Sequence, residues 1–318
     1  MYSNAGNRAP KAGGAEGAAR KITVPDLRGR KVARGEAAIA MVTAYDYTMA
    51  LLVDEAGVDA ILVGDSLGMV VQGLPNTIPV TLEEIAYHGR AIQRAQPRAH
   101  VVGDLPFMSY QVSPAQAVES GGRLMKEGLF ESVKLEGGQE FADHVYRLVR
   151  SGIPVMGHVG LLPQTVHAMG GFKVQGRGSE AEQRLLADAR ALEQAGAFAI
   201  VLEAIPPDVA ARVTNALSIP TIGIGAGPIC DGQVLVCTDL LGLTGGKSPK
   251  FAKRFADLGP AVVKAVSDYV SEVRDGSFPS AQHSYKPNRA AESSVIEPTE
   301  SSERLHAFDE PLAIDFWN

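Results

Sequence analysis

A chain of 318 residues with 45% hydrophobic content is long enough to bury a large core. Its formal charge of -6, with no extended basic patch, sets aside a nucleic-acid or polyanion binder. No run of about 18 apolar residues occurs, so no membrane span is expected.

Residues 1–22 lack periodic apolar positions, and their Ala/Gly-rich middle has no apolar region of the secretory kind, which predicts a disordered tail. Residues 24–31 predict a short helix, with Pro25 near its start and Leu27 packed inward. From Ala37 a repeating pattern begins, in which apolar runs alternate with helical segments. Strands are expected over 38–43, 60–65, 100–103, 132–135, 153–157, 198–202, 221–224 and 233–237. Helices are expected over 48–56, 82–95, 114–127, 141–150, 181–195 and 208–216, and closing helices over 251–273. Thr81 with Glu84 forms a capping box, and Ser113-Pro114 marks a helix start. After His158, roughly 20 residues rich in glycine precede the next helix, a length typical of lids and binding loops. The polar residues 282–318 read as a second tail. Cys230 and Cys237, seven apart, fit neither a CxxC pair nor a zinc knuckle and are read as reduced packing residues of a cytosolic protein.

Eight strands separated by helices need parallel crossovers, and a (β/α)8 TIM barrel over residues 23–281 is the most economical arrangement. Such barrels carry their active sites at the C-terminal strand ends. There the apolar runs stop at titratable groups: Asp65, Asp104, Glu136, His158 and Glu203. Lys134 and Glu136, two apart on one strand, would both point into the barrel, while Val133 and Leu135 meet the helices. A lysine there needs a carboxylate, a metal-bound anion or a substrate group as partner.

Asp65, Asp104 and Glu136 offer hard oxygen ligands that suit Mg2+ better than zinc, with Glu136 acting directly or through water. A chelated 2-oxo acid would be activated there towards enolate formation. Glu203, after an apolar run and beside Ala204, is the candidate base, its surroundings expected to raise its pKa. Ser66 and Lys134 would hold the substrate carboxylate, and His158, at the pocket mouth, would orient a substrate oxygen or a water. Plainer readings exist for each: Asp65-Ser66 as a turn or cap, Lys134 with Glu136 as a structural ion pair, His158 as a structural histidine, Glu203 paired with a lysine. Gly223 to Gly227 suits close packing better than a phosphate loop, and Arg177 suits solvent or a loop clamp.

Val42-Thr-Ala-Tyr-Asp46, Val63-Gly-Asp-Ser-Leu-Gly-Met69, Gly103-Asp-Leu-Pro-Phe107, Val133-Lys-Leu-Glu-Gly137, Gly157-His-Val-Gly-Leu-Leu-Pro-Gln164 and Ile222-Gly-Ile-Gly-Ala-Gly227 carry a resemblance. Over roughly residues 22–282 the chain resembles the ketopantoate hydroxymethyltransferase family. That resemblance implies a Mg2+-dependent barrel enzyme of pantothenate biosynthesis. It would move a one-carbon unit from 5,10-methylenetetrahydrofolate to 3-methyl-2-oxobutanoate, giving 2-dehydropantoate. It implies metal carboxylates at Asp65, Asp104 and Glu136, 2-oxo acid contacts at Asp65, Ser66, Asp104 and Lys134, and a proton acceptor at Glu203. His158 also matches a family histidine. A cytoplasmic homodecamer is implied as well. The rival readings are a Mg2+-dependent lyase or mutase of the phosphoenolpyruvate and pyruvate barrel group, and a barrel kept as a non-catalytic binding protein.

Overall fold

A computed structural model describes residues 20–244 and 249–285. Most of the two expected tails, residues 1–19 and 286–318, lies outside the described residues. Among the described residues eight strands form a closed parallel barrel. They are β1 (Ile39–Thr43), β2 (Ala60–Val63), β3 (His100–Asp104), β4 (Ser132–Glu136), β5 (Val155–Gly160), β6 (Ala199–Glu203), β7 (Thr221–Ile224) and β8 (Gly232–Leu235). Each pairs with the next, and β8 pairs with β1.

The helices are α1 (Val24–Arg28), α2 (Tyr47–Glu55), α3 (Leu67–Val70), α4 (Leu82–Gln93), α5 (Pro114–Glu127), α6 (Ala142–Arg150), α7 (Val166–Met169), α8 (Ser179–Ala195), α9 (Pro207–Ala216), α10 (Cys237–Leu240) and α11 (Leu258–Asp275). None is long and apolar enough to cross a membrane.

Local chemistry accounts for the boundaries. Thr81 caps α4 by accepting from the Glu84 amide at 3.3 Å, while the Glu84 carboxylate accepts from the Thr81 amide at 2.7 Å. Ser113 accepts from the Gln116 amide at the start of α5, where Pro114 fills a position that needs no donor. β2 stops at Val63, not Asp65, because the chain turns there: the Leu67 amide donates to the Gly64 carbonyl at 3.1 Å. β5 runs later than expected, over Val155–Gly160, since its partner β6 pairs with it out to Gly160 and Glu203. β8 ends before Cys237, which opens α10. Both cysteines are free and buried.

Two apolar layers hold the barrel. Between strands and helices lie residues such as Val133, Leu135, Leu124 and Leu148, each worth roughly 1.5–3 kcal/mol when removed from water. Inside the barrel Met41, Leu62, Met156 and Val234 pack together with Leu27 of α1, which is 1% exposed. Residues 21 and 22, at the end of the expected tail, pack against the barrel. Ile22 is buried and donates to the Arg98 carbonyl at 2.8 Å, and Lys21 donates to the Pro97 and Ala99 carbonyls. A buried pair the sequence did not announce, Lys31 with Asp231 at 2.7 Å, ties the segment after α1 to the start of β8. Asp231 also accepts from the Thr221 and Val32 amides, so the buried charge is fully partnered.

The chain divides into two compact units, residues 1–262 and 263–318. The barrel belongs to the first. α11 begins in the first unit and continues in the second, and it buries none of its residues. In the second unit the Phe278 ring meets Tyr269 edge-on at 5.6 Å and tilts against His283 at 5.0 Å.

Candidate active site

All seven residues singled out in the sequence line one cavity of about 460 Å³: Asp65, Ser66, Asp104, Lys134, Glu136, His158 and Glu203. It lies at the C-terminal strand ends, as barrel architecture requires. A wider surface depression, lined by Lys21, Asp54, Arg98 and Glu131 among others, holds none of them.

Register brings the charged groups together. Asp104 and Lys134 are cross-strand partners on β3 and β4, as are Glu136 and His158 on β4 and β5. The Lys134 ammonium lies 2.8 Å from Asp104 Oδ1, 4.0 Å from Glu136 Oε1 and 3.4 Å from His158 Nδ1. Val133 and Leu135 point the other way, into the layer beneath the helices. From the turn after β2, the Asp65 amide donates to Asp104 Oδ2 at 3.0 Å. Gly64 permits this approach: a Cβ there would stand 3.0 Å from Ser66 Oγ and 3.2 Å from Asp104 Oδ2. The Ser66 hydroxyl shares a 2.8 Å hydrogen bond with the Tyr45 hydroxyl, and it makes no cap bond to α3.

His158 is not at the pocket mouth. It is 2% exposed and sits between two carboxylates, Nδ1 3.5 Å from Glu136 Oε1 and Nε2 3.1 Å from Glu203 Oε2. Burial and the Lys134 charge depress the imidazole, but Glu136 and Glu203 outweigh them and its pKa is raised to about 9. Glu203 thus has a histidine partner, not the purely apolar surroundings or the lysine considered from sequence. It closes β6, and Ala204 after it adopts a left-handed φ of 47°, a conformation that costs a non-glycine residue free energy and clusters at functional sites.

The surroundings push the three carboxyl groups in different directions. Burial raises the Asp65 pKa well above the usual range, helped by Asp104 and Glu136. Burial also raises Asp104, against the pull of Lys134. Burial would raise Glu136 too, but bonds and charge from His158 and Lys134, with the Gln164 amide, bring it below its ordinary value. Two nearby cations do not satisfy three buried carboxylates. Asp104 Oδ1 has no well-directed hydrogen-bond donor, despite the proximity of Lys134. Among the described residues no three His, Cys, Asp or Glu side chains are grouped to hold an ion by themselves. The donor set fits a hard dication that takes one or two protein carboxylates and fills its other positions with water or ligand.

Gln164, the last residue of the Gly157–Gln164 motif, is a site residue whose role the motif does not announce. Its side-chain amide donates to Asp65 Oδ2 at 2.9 Å and to the Leu105 carbonyl at 3.0 Å, and its backbone amide donates to Glu136 Oε2 at 3.1 Å. The Tyr110 hydroxyl lies 3.0 Å from the Gln164 side-chain oxygen and 2.8 Å from the Glu136 carbonyl oxygen. The long segment after β5 therefore folds back onto the ends of β2 and β4, and its Leu161, Pro163 and Phe172 line the cavity. Arg177 is exposed and does not line it. Gly225 and Gly227 serve packing, with positive φ and with Phe251 and Pro207 pressed against them.

A model of the ketopantoate hydroxymethyltransferase family matches residues 21–281. The 3-methyl-2-oxobutanoate hydroxymethyltransferase of Trichlorobacter lovleyi is 55% identical over 271 residues, covering 84% of this chain and 99% of its own. The protein of the same name from Moorella thermoacetica is 56% identical over 266 residues, covering 84% and 98%. Among solved structures, 2,3-dimethylmalate lyase, a PEP mutase/isocitrate lyase superfamily member, aligns with a TM-score of 0.53 at 19% identity, over 81% of this chain and 92% of that one. Phosphonopyruvate hydrolase in complex with oxalate and Mg2+ aligns with a TM-score of 0.54 at 15% identity, over 82% and 93%. At those identities the solved structures speak to the barrel fold alone, whereas the family match and the close relatives cover most of the sequence. The chain belongs to the ketopantoate hydroxymethyltransferase family.

Proposed function

We propose that this protein transfers a hydroxymethyl group from 5,10-methylenetetrahydrofolate to 3-methyl-2-oxobutanoate, using Mg2+ and supplying 2-dehydropantoate for pantothenate synthesis. Family membership supports the reaction class. The observation that carries the chemistry is one cavity holding Asp65, Asp104, Glu136 and Lys134 with Glu203 beside His158.

Asp65, Asp104 and Glu136 would hold the ion, Glu136 directly or through water. The chemistry such an ion supplies is Lewis-acid polarisation of the 2-oxo group. Lys134 and Ser66 hold the substrate carboxylate, with Tyr45 fixing the Ser66 hydroxyl. Glu203 accepts the C3 proton of the acid, and the bonding pair becomes the enolate. His158, flanked by Glu136 at its other ring nitrogen, lies 3.1 Å from Glu203 Oε2, where its charge would hold the Glu203 carboxylate in place. C3 then bonds to the methylene carbon of the ring-opened folate iminium as the C–N π pair passes to nitrogen; water takes the place of that nitrogen on the carbon and gives up a proton to it, so the hydroxyl stays on the product and tetrahydrofolate leaves. Work in the cytoplasm and assembly as a homodecamer belong to the same proposal. Sedimentation at one chain's mass would remove the decamer.

The test is turnover by the purified protein with both substrates. Mass spectrometry should detect 2-dehydropantoate with Mg2+ and little after chelation; no product with Mg2+ would overturn the reading. Calorimetry tests the ion-holding residues: Asp104→Ala should weaken Mg2+ binding about 10- to 100-fold, the range seen when the ligand environment of a metal is disturbed. An unchanged titration would remove Asp104 as a ligand.

A further inference from the structure

The 2-oxo acid leaves much of the cavity unfilled. A volume of about 460 Å³ falls in the range that encloses a drug-sized ligand, well beyond a five-carbon acid. The charged groups assigned above gather on β2 to β6, whereas the remaining wall is largely apolar, with Met69, Leu235, Phe172 and Phe251. The Phe172 and Phe251 side chains are 53% and 39% exposed, so ring surface is open to a ligand there. Phe251 is held in place by the turn after β7, where a Cβ on Gly225 would come within 2.9 Å of its ring.

In this apolar part stands one charged side chain without a role so far, Asp239 of α10, directly after β8. Burial raises its carboxyl above the ordinary value, against weaker opposing effects of Thr244 and Arg254. Its hydrogen bond from the Thr244 hydroxyl is long, at 3.4 Å. A carboxylate in a cavity that two aromatic side chains also line suits a flat heterocycle with two adjacent N–H donors: the ring can stack, and the donors can meet both carboxylate oxygens.

We propose that Asp239 is the residue that recognises the pterin ring of the one-carbon donor, pairing with its 2-amino group and neighbouring ring N–H while Phe251 stacks on the ring face. The assignment rests on the folate-dependent reaction proposed above. It places the donor on the β8 side of the same cavity, facing the enolate carbon produced on the β2 to β6 side.

The test is calorimetric titration of the full chain with tetrahydrofolate and with its 2-desamino analogue. Asp239→Asn should weaken tetrahydrofolate binding about 10- to 100-fold, the cost of a hydrogen-bond pair to a charged group. The unaltered protein should bind the 2-desamino analogue correspondingly more weakly, and Asp239→Asn should no longer distinguish the two ligands. The analogue arm needs no variant, so it judges the assignment even if Asp239→Asn misfolds. Equal binding of both ligands by the unaltered protein, or unchanged tetrahydrofolate affinity in a folded Asp239→Asn, overturns the Asp239 assignment alone. No tetrahydrofolate binding by the unaltered protein overturns the donor reading and the assignment together.

Discussion

Glu203→Gln is expected to slow exchange of the C3 hydrogen of 3-methyl-2-oxobutanoate in heavy water by about 100- to 10,000-fold, the usual contribution of a positioned general base. The substitution preserves side-chain length and leaves an oxygen that can face His158 Nε2, now 3.1 Å from Glu203 Oε2. What it removes is the capacity to take a proton. Binding of the 2-oxo acid should be largely retained, because Lys134 and Ser66, proposed to hold its carboxylate, lie away from β6, on β4 and in the turn after β2. Proton NMR of the C3 signal reads the rate, and calorimetry reads the affinity. Exchange at the unaltered rate in the variant would remove Glu203 as the base.

Lys134→Met carries the second large effect. The ammonium stands among Asp104, Glu136 and His158 and is 4% exposed, so its loss leaves buried carboxylates with a single nearby cation. Its own pKa is raised because Asp104, Glu136 and Asp65 together outweigh the opposing effect of burial. Breaking a buried ion pair by removing one partner costs roughly 3–5 kcal/mol. Urea unfolding without added metal at neutral pH should show a loss of about that size, and binding of the acid should be lost as well. A loss below about 1 kcal/mol would show that the neighbouring carboxylates take up protons at little cost, and that Lys134 is not the charge that balances them.

Much of this site is legible in the sequence because strand chemistry is local. Alternation alone sends Lys134 and Glu136 inward and Val133 and Leu135 outward, and a buried apolar run that stops at Asp104 or Glu203 marks a strand end in a parallel barrel. The contacts that cross the barrel are another matter. Gln164 reaches Asp65 across 99 positions of sequence, and nothing in Leu162-Pro163-Gln164 announces that the segment folds back. The depth of His158 depends on pairing across β4, β5 and β6, which a position at the end of one apolar run does not reveal. Lys31 meets Asp231 across 200 positions for the same reason. Tyr45 lay inside a recognised motif, but its bond to Ser66 depends on how β1 and β2 align. Of the closing helices expected over 251–273, one forms, α11, starting only at Leu258, and the apolar pattern could not say that its Val262, Val266 and Tyr269 would be about half exposed.

The most direct test of the account is deuterium uptake at C3 of 3-methyl-2-oxobutanoate by the unaltered protein in heavy water, with no folate present. Activation of the acid by the carboxylate set and Glu203 predicts rapid loss of the C3 proton signal with Mg2+ and suppression by a chelator. A C3 signal that persists with Mg2+, in protein that binds the acid, would contradict it.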